Sequence, residues 1–351
     1  MLSRVAEAVY WAGRYIERAE NTARFIDVNL AMTLDAPSSF GEQWAPLVAI
    51  TGDRASFDER FQVATRENVI EFLSSDPANP SCILACLQKA RENARSVREV
   101  ISSEMWEQIN RFYLTVSNGA ARRRPILDSY QFFSEVKLHS HQVAGVADNT
   151  MSHNEAWHFF QLGRLLERAD NTSRLLDVKY FLLLPTPEDV GGAIDEMQWA
   201  IVLRSASAFE MYRKRHGRIE PEDVIDFLLV ETDFPRAILY CLTAAEQSLG
   251  AISGSQGGRF RNSAEQELGR LKAELAYEQA SDIIAKGLHQ FLDGFQTKLN
   301  AVGVAIAETF FHPPAGSAKS NGGTSRRDVL FGNQSQRRSG GNRRHTRDLG
   351  Q

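Results

Sequence analysis

Arg14, Glu17, Arg18, Asn21 and Arg24 follow one another at i, i+3, i+4, i+7 and i+10. On an α-helix that spacing lines them along one face. Guanidiniums grouped around a carboxylate suit three kinds of chemistry. They can bind a carboxylate or phosphate through paired N–H donors. They can tune the glutamate as an acid, a base or a metal ligand. They can also fasten two segments together as an ion-pair network, for which the planar fork of arginine is well shaped. The same residue types recur as Arg164, Glu167, Arg168, Asn171 and Arg174.

The recurrence belongs to a longer internal match. Residues 10–29 (YWAGRYIERAENTARFIDVN) and 160–179 (FQLGRLLERADNTSRLLDVK) share ten of twenty positions at a spacing of 150. At a spacing of 155, Gln43-Trp44-Ala45 pairs with Gln198-Trp199-Ala200, and Glu67–Leu73 with Glu222–Leu228. Pro80, Ile83, Leu84, Cys86 and Leu87 then pair with Pro235, Ile238, Leu239, Cys241 and Leu242. The body therefore reads as one helical unit written twice, about 1–150 and 151–311. A pseudo-two-fold arrangement is expected, by analogy with isologous dimers.

The elements that must position these residues read as all α. Ala12, Tyr15, Ile16, Ala19, Ala23 and Ile26 recur at helical spacing, with the apolar stripe opposite the charged one, which predicts a helix from about Ser3 to Thr33. Thr65 is placed to cap a short helix over Glu67–Leu73. Longer helices are predicted over Ser81–Ile101, Arg236–Ile252, Asn262–Ala280 and Ile284–Phe311, with prolines between the periodic runs. No run alternates with the period of a strand. The fold class is thus an all-α helical bundle of two tandem pseudo-symmetric repeats forming a single domain, 1–311.

Three readings of the charged stripe remain open on sequence grounds. It can be a solvated face, with Glu20–Arg24 and Asp170–Arg174 as i,i+4 pairs of about 0.3–0.5 kcal/mol each. That leaves unexplained why the same types recur in the same places. It can be a buried network in which Glu17 meets Arg168 and Glu167 meets Arg18 across the pseudo-two-fold axis. Or it can be a site, with Arg14, Arg18, Asn21, Arg24, Arg164, Arg168, Asn171 and Arg174 holding a ligand and Glu17 or Glu167 as the catalytic candidates.

Other constellations are weaker. Glu155-x-x-His158 has the spacing of one half of a di-iron site, but no second such motif accompanies it. His139-Ser-His141 puts two imidazoles on different helix faces. Cys86 and Cys241 sit in apolar stretches and read as core thiols, and Trp44 and Trp199 as core anchors. There is no GxxxxGK[ST], no strand–GxGxxG–helix and no G-x-S-x-G. No metal and no cofactor are expected.

The 351 residues carry a net charge of −4, unevenly distributed. From His312 to Gln351 there are eight Lys/Arg against two acids, a net of +6 that leaves the body at −10. This stretch is rich in Gly, Ser and Asn and nearly empty of large apolar residues, so a disordered basic tail is expected over 312–351. Nucleic-acid contact, if any, would be confined to it. No apolar run approaches the roughly 18 residues of a spanning helix. Charges interrupt the opening stretch, which does not read as a secretory signal. Three cysteines without a CxxC pair fit a reducing, cytoplasmic setting.

The ERAENTAR and ERADNTSR motifs, with the Trp-Ala blocks and the all-α reading, resemble the bacterial alpha-E family over about residues 1–311. Glu17, Arg18, Asn21 and Arg24, and in the second segment Glu167, Arg168, Asn171 and Arg174, carry the resemblance. It implies the company of a circularly permuted ATP-grasp ligase and a transglutaminase-like peptidase. The implied role is a non-catalytic helical partner of an ATP-grasp amide ligase in a system making or processing peptides. The alternative is an enzyme of amide or peptide chemistry that uses the Glu/Arg centre.

Overall fold

The charged stripe lies on α1 (Ser3–Asp35), and its second version on α9 (Glu155–Phe181). The computed structural model describes residues 1–35, 44–181, 192–255 and 259–312. Between α1 and α9 run α2 (Ala45–Thr51), α3 (Arg54–Asp58), α4 (Arg66–Ser74), α5 (Ile83–Ser96), α6 (Ser103–Ala121), α7 (Arg124–Leu127) and α8 (Ser129–Thr150). After α9 come α10 (Ala193–Ser205), α11 (Phe209–Arg215), α12 (Pro221–Leu229), α13 (Ile238–Ser253), α14 (Ser263–Ala276), α15 (Ala280–Lys286) and α16 (Leu288–Ile306). A π-helical turn, Ala307–Phe311, closes the described chain. No strand occurs among the described residues.

Local chemistry sets several of the boundaries. Thr65 Oγ1 accepts from the Asn68 N–H at 3.3 Å and starts α4, where the sequence places a cap. Ser102 and Asn262 do the same for α6 and α14, at 3.1 and 2.9 Å. The helix predicted over Ile284–Phe311 is instead broken at Gly287, whose φ of +105° turns the chain between α15 and α16. Apolar periodicity runs straight through that point, so only the glycine marks it. The helices predicted from Ser81 and Arg236 begin two residues later, at Ile83 and Ile238, and α5 stops at Ser96.

The core is organised around α1 and α9, which pack on each other along their charged faces. Helix α1 is flanked by α5 and α8, and α9 by α13 and α16. Behind these, α6 joins α5 to α8, and α14 joins α13 to α16. Aromatic side chains fill the interior: Tyr10, Trp44, Phe57, Phe112, Phe133, Phe160 and Tyr212 are all at most 2% exposed, and Trp199 is 5% exposed. The stripe opposite the charges is apolar as expected, but the charged side is not solvated. Glu17, Glu20, Asn21 and Arg24 are as buried as the apolar side. The described residues pack as one unit. The tail expected over 312–351 lies outside the described residues except for His312.

A buried Glu/Arg network as candidate functional site

Where α1 crosses α9 each helix carries a glycine, Gly13 and Gly163. The missing side chains let the backbones approach, and the glutamates one turn further on reach the facing helix. Arg168 donates from Nε and Nη2 to the two carboxylate oxygens of Glu17, at 2.7 and 2.8 Å. Reciprocally, Arg18 donates from Nε and Nη2 to Glu167 at 2.6 and 3.0 Å. Arg14 adds a third bond to Glu167, from Nε at 2.7 Å. Glu17 is 0% and Glu167 1% exposed.

Burial by itself would raise both carboxyls, but the guanidiniums override it. Arg14 and Arg18 hold Glu167 at about 2. Arg168 leads the effect that holds Glu17 below the usual carboxylate range, against burial and against nearby Glu20. Both are therefore carboxylates at neutral pH, with no proton to donate and with their lone pairs directed at fixed donors.

The exchange across the interface is not fully symmetric. Arg164, the counterpart of Arg14, stays 3.7 Å from Glu17 and bonds Gln161 instead. Arg236, just ahead of α13, takes the vacated place. It donates to Asn21 at 3.0 Å and to Glu17 at 3.4 Å, and it pairs closely with Glu20. Burial disfavours the charge on Arg164, as does adjacent Arg168, and both act to lower it. Burial likewise lowers Arg236, with Glu20 pulling the other way. Glu20 also accepts from Arg24 at 2.5 Å and from Ser140 at 2.8 Å, and His141 Nε2 lies 3.1 Å from it. Burial would raise Glu20 too, but Arg236, His141 and Arg24 hold it well below the usual range.

The third arginine of each motif reaches the turn that closes the helix after the other central helix. Arg24 donates to Ser207 Oγ, in the turn after α10. Arg174, paired with Asp170 at 2.8 Å, lies beside Gly52 in the turn after α2, where a Cβ would touch its guanidinium at 3.4 Å. Gly52 and Ser207 stand 155 residues apart and are both left-handed, with φ of +76° and +51°. Asn171 donates to its own helix, at Glu167 O. Further along, Asp27 pairs with Lys137 at 2.5 Å, and Asp177 with His289 at 2.7 Å.

The structure thus brings these residues into two facing clusters at one crossing: Glu167 with Arg14 and Arg18, and Glu17 with Arg168 and Arg164, joined through Arg236 to Asn21, Glu20 and Arg24. Arg174 stands in its own pair with Asp170, and Asn171 does not cross the interface. Sequence reasoning missed Arg236, Ser140 and His141. Arg236 had one visible signal: it occupies a matched block in which the first segment has Ser81. Ser140 and His141 were visible only within His139-Ser-His141, which gives no sign of their contact with Glu20. The weaker constellations do not converge. Glu155 is exposed, while His158 lies against Trp157 with ring centroids 4.9 Å apart. His139 stacks on Phe112, away from His141. Cys86 and Cys241 are fully buried, and burial pushes each thiol up to about 12. Among the described residues, no group of three or more His, Cys, Asp or Glu is placed to hold a metal ion. No helix among them is long and apolar enough to cross a membrane.

Comparison with known proteins adds relatives of unknown role. The chain is 25% identical over 336 residues to an uncharacterized protein of Mycobacterium bovis and to one of Mycobacterium tuberculosis strain CDC 1551. It is 24% identical to another from M. tuberculosis strain H37Rv. Each match covers 86% of this chain but only 37% of the relative. No solved structure matches. Residues 1–311, the span that holds both ER motifs and every pair in the network, match the family described as "a predicted alpha-helical domain with a conserved ER motif". The chain belongs to the Alpha-E family.

Proposed function

We propose that this chain is a non-catalytic helical partner of a cytoplasmic ATP-grasp amide ligase that makes or processes peptides. The observation that carries the reading is the state of Glu17 and Glu167. Each is buried, ionised and gripped by guanidinium forks, an arrangement suited to fastening α1 to α9 rather than to moving protons. The ligase comes from the company implied by the ER motifs, with a transglutaminase-like peptidase as a second candidate partner. The relatives support an association, because in them this unit is about a third of a much longer chain.

Size-exclusion chromatography with light scattering tests the reading. The full chain would be run alone and mixed with an ATP-grasp ligase of the same organism while ATP hydrolysis is followed. A stable complex with altered hydrolysis is expected. Separate elution with unchanged hydrolysis would overturn the partnership.

A further inference from the structure

A cleft of about 460 Å³ opens where the far half of α1 meets α8, α10 and the turn before α11. Arg24, Asp27, Lys137, Arg204, Ser207 and Glu210 supply its polar wall, and Val28, Ala31, Met197 and Ala200 its apolar one. Its size falls within the range of small-molecule sites.

Two observations separate this cleft from an ordinary surface groove. Arg24 (5% exposed) pairs with Glu20 and Ser207, and Asp27 (9% exposed) with Lys137, yet Arg24 Nε and Asp27 Oδ1 are shielded and have no hydrogen-bond partner among the described residues. A buried donor and a buried acceptor are thus both unsatisfied in one wall, which is costly and uncommon. At the rim, Arg204 stacks over Phe209 at 4.2 Å, and neither Arg204 nor Glu210 has an ion-pair partner among the described residues. Opposite charges flank the same turn without neutralising each other. That turn is held left-handed by Ser207, where the matched turn uses a glycine. Strain of this kind persists where the surroundings enforce it, as at ligand clamps.

The geometry points to a binding site for a small zwitterion: an apolar amino acid, or a short peptide with both ends free. The carboxylate would face Arg204, with the Lys137–Asp27 ion pair beside it. The ammonium would face Glu210, and the side chain would lie on Met197, Ala200 and Val28. An anion alone would leave Glu210 unanswered, and a cation alone would leave Arg204 so. This site does not depend on the partnership proposed above.

Isothermal titration calorimetry on the full chain tests the assignment. The probes are L-leucine and L-alanyl-L-leucine, with N-acetyl-L-leucine, L-leucinamide and inorganic phosphate beside them. At least one of the two zwitterions is expected to bind saturably, one per chain. Blocking either end should weaken binding at least about tenfold, the loss of one charge-assisted hydrogen bond. Arg204→Gln and Glu210→Gln should do the same. Both residues are exposed and outside the central network, so circular dichroism should show these variants folded. No binding by either zwitterion would overturn the proposal. So would equal binding of a blocked form, binding of phosphate alone, or zwitterion binding unchanged in both variants.

Discussion

Gly13 and Gly163 hold the same post on opposite sides of the α1–α9 crossing. A Cβ on Gly13 would run into the carbonyl oxygen of Phe160 and stand 3.3 Å from the Arg164 stem. One on Gly163 would run into the carbonyl oxygen of Tyr10 and stand 3.3 Å from the Arg14 stem. The obstacle in each case is backbone, which cannot swing aside as a side chain can. The close approach is what lets carboxylates on one helix reach guanidiniums on the other.

Gly13→Ala and Gly163→Ala should therefore each destabilise the protein. Helix propensity alone would favour alanine by about 1 kcal/mol, but overpacking against a carbonyl costs about 1–3 kcal/mol or more. Gly145, in α8, has nothing within 4 Å of an added Cβ. Gly145→Ala should stabilise by about 0.5–1 kcal/mol. Urea midpoints of the three variants, moving in these opposite directions, check the crossing.

Glu17→Gln and Glu167→Gln should each cost about 3–5 kcal/mol, because buried guanidiniums lose their counter-charge. Adding Arg168→Met to Glu17→Leu should recover part of the loss, since the stranded charge goes with its partner. A double-mutant cycle on urea unfolding measures this. Simple additivity of Glu17→Leu and Arg168→Met would contradict direct coupling across the interface.

The motif made much of this arrangement legible. Two versions of one charged stripe, spaced 150 residues apart, offer Glu17–Arg168 and Glu167–Arg18 as reciprocal pairs, one of the three readings that the spacing leaves open. The caps and the proline breaks are local chemistry, so Thr65 and α4 could be read directly. Arg236 could not be assigned a role, because its place in the fold depends on how α13 packs against α1 and no periodicity reports that. Ser140 and His141 are ordinary polar residues of α8 until packing turns them toward Glu20. The break at Gly287 was hidden because the residues on either side keep one apolar rhythm.

Acid should weaken the fold in a definite window. Glu17, Glu20 and Glu167 all have folded-state values below those of the unfolded chain, Glu167 at about 2. The unfolded chain therefore binds more protons, and stability rises with pH through this range. The contribution is fully present above the unfolded value of about 4.3 and is lost as pH falls from about 5 toward 2. Unfolding free energy measured from pH 7 to pH 3 should show this fall. Glu167→Gln should flatten it.

The three cysteines should be silent in the native protein. Cys86 and Cys241 are held near 12 by burial, and burial raises Cys82 as well. A thiol reagent should label none of them at neutral pH until denaturant is added, and all three afterwards. Rapid native labelling of Cys241 would show that the α9–α13 interface opens.

The pairing of α1 with α9 also sets a timetable for synthesis. Arg18 and Glu167 are 149 residues apart, and Glu17 and Arg168 are 151. At about 5–20 residues per second, α1 leaves the ribosome roughly 8–30 s before the helix that covers it. A greasy face exposed for that long would invite aggregation. The face left waiting is instead a row of charges and a glycine, comfortable in water until its mate is made.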